Sequence, residues 1–122
     1  MKNRAEAHSL PSINVHVAEP GGRTLNGTVR CEIGREVQFS TDSLESYFFS
    51  DWKSEAYDAL LVAAAVEFAD KSLHRPALGW SRAITLRIPV HDVERWEAAT
   101  VHEALRDALE HLTGDSWDMS FL

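Results

Sequence analysis

Residues 82–90 read Arg-Ala-Ile-Thr-Leu-Arg-Ile-Pro-Val, a stretch in which every second residue is apolar. The apolar members of the alternation are Ile84, Leu86, Ile88 and Val90. A two-residue period is typical of a strand that buries one of its faces. Pro89 has no N–H to donate, so we expect the strand to end there or to follow a sheet edge.

A helix and a further strand are predicted downstream of this stretch. Apolar residues at three- and four-residue spacing predict a helix over 100–112, and Gly114 is placed to end it. Large apolar residues then alternate with polar ones at Trp117, Met119 and Phe121. These side chains need a paired strand to be buried, and helix 100–112 has the length of a crossover. We therefore predict that the last strand pairs with strand 82–90. If the two strands are adjacent and parallel, their connection is a β-α-β unit and should be right-handed.

The first third of the chain carries three shorter β patterns. Alternation over 13–17 and over 29–33 predicts two strands, and the run 37–39 predicts a third. The glycine-containing gap Gly34-Arg35 between the last two is typical of a hairpin. The sequence therefore predicts a small antiparallel unit here.

Two more helices are expected before strand 82–90. Asp42 followed by Glu45 resembles a helix N-terminus and predicts a short helix through residues 44–48. The segment 54–72 has helical spacing, and Ala59 to Val66 is apolar on every side, so we expect it to be the most buried stretch.

The predicted order is β-β-β-α-α-β-α-β. It favours an α+β fold with a single mixed, mostly antiparallel sheet and helices packed on one face. Residues 1–11 are polar and without a period, so we interpret them as a flexible leader, with residues 12–122 as one domain.

Composition limits the function classes. With 122 residues the chain has the size of one domain, and 19 acidic against 12 basic residues give a net charge of -7. This negative charge argues against a protein whose whole surface binds nucleic acid. The single cysteine excludes an internal disulfide and a cysteine-based zinc cage, and no long apolar run is present. We expect a cytoplasmic protein without a membrane span, metal or cofactor.

Catalytic patterns are weak. The six histidines do not have metal-ligand spacing. His91-Asp92 could act as a general-base pair, which leaves a small enzyme as one alternative. The same Asp92 is favoured as the N-cap of a short helical turn over 92–96. Cys31 lies on the apolar side of its strand and is expected to be an inert, buried thiol.

Arginines form the most suggestive charged group. Arg30 and Arg87 point away from the apolar sides of their strands, and Arg82 lies at a strand end. If the strands are neighbours, these residues could bind a phosphate, a carboxylate or an acidic partner. The alternative is a solvated surface on which arginines pair with Glu32 and Glu36.

Several aromatic residues add a second candidate surface. Adjacent Phe48 and Phe49 cannot both face one core from a single helix, so one of them could contact a partner. We include Phe49, Trp52 and Trp80 as candidate contact residues, with core packing as the alternative.

Four stretches together resemble a known module. They are Leu60 to Val66 with Ala69-Asp70, Trp80 to Val90, Trp96, and Leu112 to Trp117. From about Ile13 to Phe121 the chain is similar to the N-terminal accessory module found ahead of 7-cyano-7-deazaguanine synthase-like domains in bacterial anti-phage defence proteins of the Qat type. The chain lacks the Ser-Gly-Gly-x-Asp-Ser loop and the four-cysteine zinc site of the synthase-like domain, so the ligase chemistry does not carry over.

The resemblance implies a non-enzymatic binding or adaptor domain of a defence system. Such a domain would recognise a partner protein from the same operon, or a substrate for an enzyme encoded there. The alternative from the residues themselves is a nucleic-acid or nucleotide binder that uses Arg30, Arg82 and Arg87.

Overall fold

The computed structural model describes residues 11–38, 53–74 and 81–122. In chain order the elements are β1 Ser12–Ala18, β2 Val29–Glu32, α1 Lys53–Ser72, β3 Ala83–Ile88, α2 Val93–Glu97, α3 Ala99–Thr113 and β4 Ser116–Phe121. The predicted helix over 44–48 and all but the last residue of the predicted leader lie outside the described residues. Pro11, that last residue, accepts a hydrogen bond from the N–H of Ala83 at 2.8 Å.

The four strands form one sheet in the order β2-β1-β3-β4, and every neighbouring pair is parallel. The prediction of a mostly antiparallel sheet was therefore wrong. The prediction that strands β3 and β4 pair is confirmed, and the pair is parallel, with Ile84 opposite Trp117 and Ile88 opposite Phe121.

The length of one loop explains the error. β1 and β2 are joined by residues 19–28, and such a loop can reach roughly 33 Å when extended. A strand of seven residues is roughly 23 Å long, so the loop can return the chain to the start of the sheet. The glycines of loop 19–28 interrupt the strand pattern, as the glycines of a hairpin turn would. Here they form turns inside a crossover that connects two parallel strands.

The predicted strand over 37–39 does not form in its described part. Val37 makes an isolated bridge with Ile33, and the N–H of Gly34 donates to the Val37 carbonyl at 2.7 Å. Gly34 has φ of 90°, a conformation that a glycine adopts without strain, and it allows this turn directly after β2.

All three described helices pack on one face of the sheet, as predicted. The connections β2 to β3 and β3 to β4 cross the sheet in the same direction, and right-handed crossovers in one direction place their helices on the same face. The buried cluster lies between the layers and consists of Val15, Val17, Cys31, Val37, Leu61, Val62, Ala65, Ala69, Ile84, Leu86, Ile88, Trp117, Met119 and Phe121.

Helix α1 is buried on one side only. Leu61, Val62 and Ala65 are buried, whereas Ala59 and Ala63 are exposed. The expectation that Ala59 to Val66 is the most buried stretch was therefore wrong, because the sheet covers α1 from one direction. None of the helices in the described ranges has the length and apolar character that a membrane span requires.

Strand β4 lies at a sheet edge, and side chains from the helices engage its outward backbone. The N–H groups of Trp117 and Phe121 donate to the carboxylates of Glu110 and Glu97, at 3.3 Å and 2.8 Å. His102 Nε2 lies 2.9 Å from the Met119 carbonyl. These contacts occupy backbone groups that would otherwise be open to a further strand.

Candidate functional site

The sheet face opposite the helices carries a row of basic side chains. The strand register places Arg30 of β2 beside His16 of β1, and His16 beside Arg87 of β3. Residues in register on neighbouring strands point to the same side of a sheet. Two of the arginines predicted from the sequence therefore share one face, with a histidine between them.

Arg30 is fully engaged by its surroundings. Nη1 donates to the Gly22 carbonyl at 2.6 Å and to Thr24 Oγ1 at 2.8 Å, and Nη2 donates to the Glu19 carbonyl at 3.2 Å. Nε and Nη2 also donate to Glu32 Oε1, the latter at 2.9 Å. Its guanidinium N–H groups are thus used on three acceptors of the crossover loop 19–28 and on Glu32. Arg30 is paired with a glutamate, but Glu32 lies on its own strand, whereas the alternative from the sequence was pairing across strands.

Arg82 lies on the other side of the sheet, in the interior. Its side chain is 2 % exposed, and its guanidinium donates to Asp115, to the Asp70 carboxylate, and to the carbonyls of Asp70 and Leu73. The hydrogen bond with Asp115 raises the pKa of Arg82. Its donors join β3 to the C-terminal end of α1 and to the start of β4, so Arg82 does not reach the row formed by Arg30 and Arg87.

Arg87 differs from both. Among the described residues, no hydrogen bond or ion pair engages its guanidinium, and its buried Nε has no partner. Two neighbours share this property: His16 Nδ1, directly beside Arg87 in the register, and Asn14 Oδ1, two residues earlier on β1. Buried polar atoms are nearly always hydrogen-bonded in folded proteins, so three such atoms on one face require an explanation.

The surroundings of His16 favour its neutral form more strongly than the surroundings of an exposed histidine do. Burial lowers its pKa below 6.5, and the positive charges of Arg30 and Arg87 lower it further. A bound anion would reverse the effect of those charges. The face therefore combines a cation without a partner and a histidine whose protonation responds to nearby charge.

The sequence could not identify His16 and Asn14 as members of this group. Alternation places both on the polar side of β1, but only the pairing of β1 with β3 brings them next to Arg87. The other predicted contact residues, Phe49, Trp52 and Trp80, lie outside the described residues.

The predicted His91–Asp92 pair is not the pair that forms. Asp92 caps α2 and accepts from the Arg95 N–H, so the capping interpretation is confirmed. His91 Nδ1 instead lies 2.8 Å from Oδ1 of Asp58, a buried residue of α1 that the sequence analysis did not single out. Asp58 also accepts the backbone N–H groups of His91 and Asp92, which anchors the start of this loop to α1. The His91 side chain is 57 % exposed.

No group of three or more His, Cys, Asp or Glu side chains in the described ranges is arranged to hold a metal ion. A cleft of about 360 Å³ lies between the turn after β2 and the outer side of α1, where its lining includes Glu36, Phe68 and Lys71. The three unpartnered buried atoms lie on the opposite face of the sheet.

Comparison with known proteins gives no match: no family model, curated protein or solved structure is significantly similar to this chain. The resemblance to the accessory module of Qat-type defence proteins therefore stays a prediction.

Proposed function

We propose that this chain is a non-enzymatic binding module that recognises an anionic group of its partner at the polar sheet face around Arg87. One observation carries the proposal: Arg87 and His16 lie side by side, and their buried nitrogen atoms have no hydrogen-bond partner among the described residues. A buried donor without a partner lowers the stability of the folded protein by about 1–3 kcal/mol. Such a loss occurs at functional sites, where a bound ligand supplies the missing acceptor.

The partner is a protein or a small ligand rather than a long nucleic acid. A nucleic-acid surface neutralises several phosphates with several free cations. Here Arg30 and Arg82 spend their donors on internal acceptors, and the chain carries a net charge of -7. On this sheet face, Arg87 is the arginine without a partner among the described residues, and one guanidinium suits one anionic group.

The resemblance to the defence module suggests where the partner is encoded. We propose an adaptor role in the cytoplasm, with the partner protein encoded in the same operon. Co-expression with the neighbouring gene products tests this role directly, since the wild-type chain should co-purify with one of them. Failure to do so, while those products are folded and soluble, would refute the adaptor role.

The contribution of the polar face is tested by a matched pair of variants. Arg87→Gln should weaken co-purification, whereas Arg35→Gln should not, although it removes the same charge. Arg35 is 77 % exposed and lies in the turn after β2. Equal binding by both variants would show that the partner uses another surface.

A nucleotide or nucleic acid is the second candidate, supported by the same unpartnered guanidinium. Affinity for nucleic acid would fall steeply with salt, because phosphate contacts release counterions. A titration with single-stranded DNA at two ionic strengths distinguishes it from the protein partner. Absence of binding at low salt would remove this candidate.

A further inference from the structure

We infer that Asn14, His16 and Arg87 form a seat for one phosphate group, and that His16 takes up a proton when the phosphate binds. This inference rests on the proposed function, since it names the chemical group that the polar face recognises.

The three unpartnered groups can all become donors. Arg87 Nε carries an N–H, and protonated imidazole donates from Nδ1. Rotation of the Asn14 amide exchanges its unpartnered oxygen for an NH₂ group, which also donates. One oxyanion could therefore satisfy all three groups.

The spacing of these groups favours phosphate over carboxylate. Asn14 and His16 are two residues apart on β1, so their side chains emerge roughly 7 Å from one another, and Arg87 enters from the next strand. Because these donors come from two strands, they approach a ligand from different directions. Acceptor oxygens that do not all lie in one plane satisfy them best. A phosphate monoester offers three terminal oxygens in a tetrahedral arrangement, whereas a carboxylate offers two oxygens in one plane.

The proton uptake follows from the charges that surround His16. β2 contributes Arg30, whose charge is paired with Glu32, and β3 contributes Arg87. Asp118 of β4, opposite Thr85 in the register, is a further carboxylate on this face. In the free protein, burial and the two arginines hold the pKa of His16 below its usual value. A dianion between His16 and Arg87 reverses the sign of the nearby charge and raises that pKa.

The first test is binding of inorganic phosphate to the full chain, followed through the imidazole NMR signals of its histidines. The His16 signal, assigned with His16→Gln, should shift and saturate. Arg87→Gln should weaken this binding about tenfold or more, because a hydrogen bond to a charged group is lost. Arg35→Gln should bind as the wild type does. Equal affinities of wild type and Arg87→Gln, or no saturable shift, would overturn the seat.

The proton is tested by calorimetry in buffers of different ionisation enthalpy at about pH 7.5, where phosphate is mostly dianionic. Wild type should take up more protons per phosphate than His16→Gln does. Equal uptake by the two proteins would overturn the role of His16.

Three phosphate probes separate the sources of the group. If adenosine monophosphate binds more tightly than inorganic phosphate and phosphoserine, the ligand is a nucleotide, and tighter binding of phosphoserine indicates a phosphorylated protein. If partner binding depends on Arg87 while none of the three probes binds, the phosphate seat fails and the proposed function stands. If the probes bind and no partner is found, the adaptor role fails and the seat stands.

Discussion

Arg82 and Asp115 stand one residue before strands β3 and β4, and their side chains meet inside the protein. Arg82 Nη2 lies 2.7 Å from Asp115 Oδ2, and the Arg82 backbone N–H donates to Asp115 Oδ1 at 2.8 Å. The same carboxylate thus holds both the main chain and the guanidinium of Arg82. The pair aligns the starts of two parallel strands that helix α3 separates in sequence.

Arg82 directly precedes β3 and Arg87 lies within it, but the two should respond differently to the same substitution. Arg82→Met leaves the carboxylate of Asp115 buried without its cation and should lower the free energy of unfolding by about 3–5 kcal/mol. Arg87→Met removes no hydrogen bond and eliminates a buried, unpartnered Nε, so it should change stability by less than about 0.5 kcal/mol or increase it.

Denaturant unfolding of both variants checks this contrast. A loss for Arg87→Met as large as that for Arg82→Met would show that Arg87 is a structural residue. Its assignment to a binding surface would then have no support.

The sequence predicted the parts of the fold that depend on local pattern and on one long connection. Helix α3 has the length of a crossover, which was enough to predict that β3 and β4 are neighbours. The direction of β2 depended on whether residues 19–28 form a crossover or a turn, and glycine punctuation is compatible with both. Only the hydrogen bonds of Arg30 to this loop show how it is held.

The candidate site was harder to predict from the sequence, because it too depends on how the strands pair. The meeting of His16 with Arg87 depends on the pairing of strands that are far apart in the chain. Likewise, Arg82 looked like a surface residue at a strand end. Its burial depends on contacts with Asp70 and Asp115, which lie 12 and 33 residues away from it in the sequence.

His16 should make the protein sensitive to mild acid. Its pKa in the folded protein is below the value of 6.5 expected for the unfolded chain, so the unfolded chain binds the proton first as the pH falls. The free energy of unfolding should therefore decrease below about pH 6.5 and level off below the folded pKa. His16→Asn should show less of this decrease when unfolding curves are compared at about pH 7.5 and 5.5. An identical pH dependence in both proteins would contradict the assignment.

Cys31 should react only when the protein opens. Burial raises the pKa of its thiol from 9.0 to about 12, and the side chain is fully buried in the cluster. Alkylation by iodoacetamide at about pH 8 should be much slower in the native protein than in denaturant, because it requires opening. Stability should also fall as the pH rises above 9, since the unfolded thiol ionises first. Native labelling as fast as that of a free thiol would place Cys31 at the surface.

Leu61 and Ala63 offer a matched test of the face that α1 buries. Leu61 is fully buried, and Leu61→Asp would put a carboxylate among apolar side chains, which should unfold the protein. Ala63 is exposed on the same helix, and Ala63→Asp should cost less than about 1 kcal/mol. Far-UV circular dichroism with thermal melting distinguishes the two. A cooperative melt of Leu61→Asp near the wild-type temperature would mean that α1 does not pack against the sheet through Leu61.

Strand β4 should be indispensable although it ends at the last described residues of the chain. Trp117, Met119 and Phe121 are 2–4 % exposed, and burial of each contributes about 1.5–3 kcal/mol. Their sum approaches the whole stability of a small domain, which is about 5–15 kcal/mol. A chain truncated after Gly114 should therefore be insoluble or unfolded. Strand β3 would lose β4 as its neighbour, and the sides of the helices that pack on β4 would be exposed.

Point variants distinguish the effect of removing the whole of β4 from the effect of changing its side chains one at a time. Met119→Asp should destabilise the protein nearly as strongly as truncation, since Met119 faces the core. Asp118→Ala, on the neighbouring exposed position, should change stability little. Size-exclusion chromatography and denaturant unfolding measure both effects. If the truncated chain stays folded and monomeric, β4 is a detachable segment, and the apolar face it leaves behind becomes a better candidate for partner binding than the polar face around Arg87.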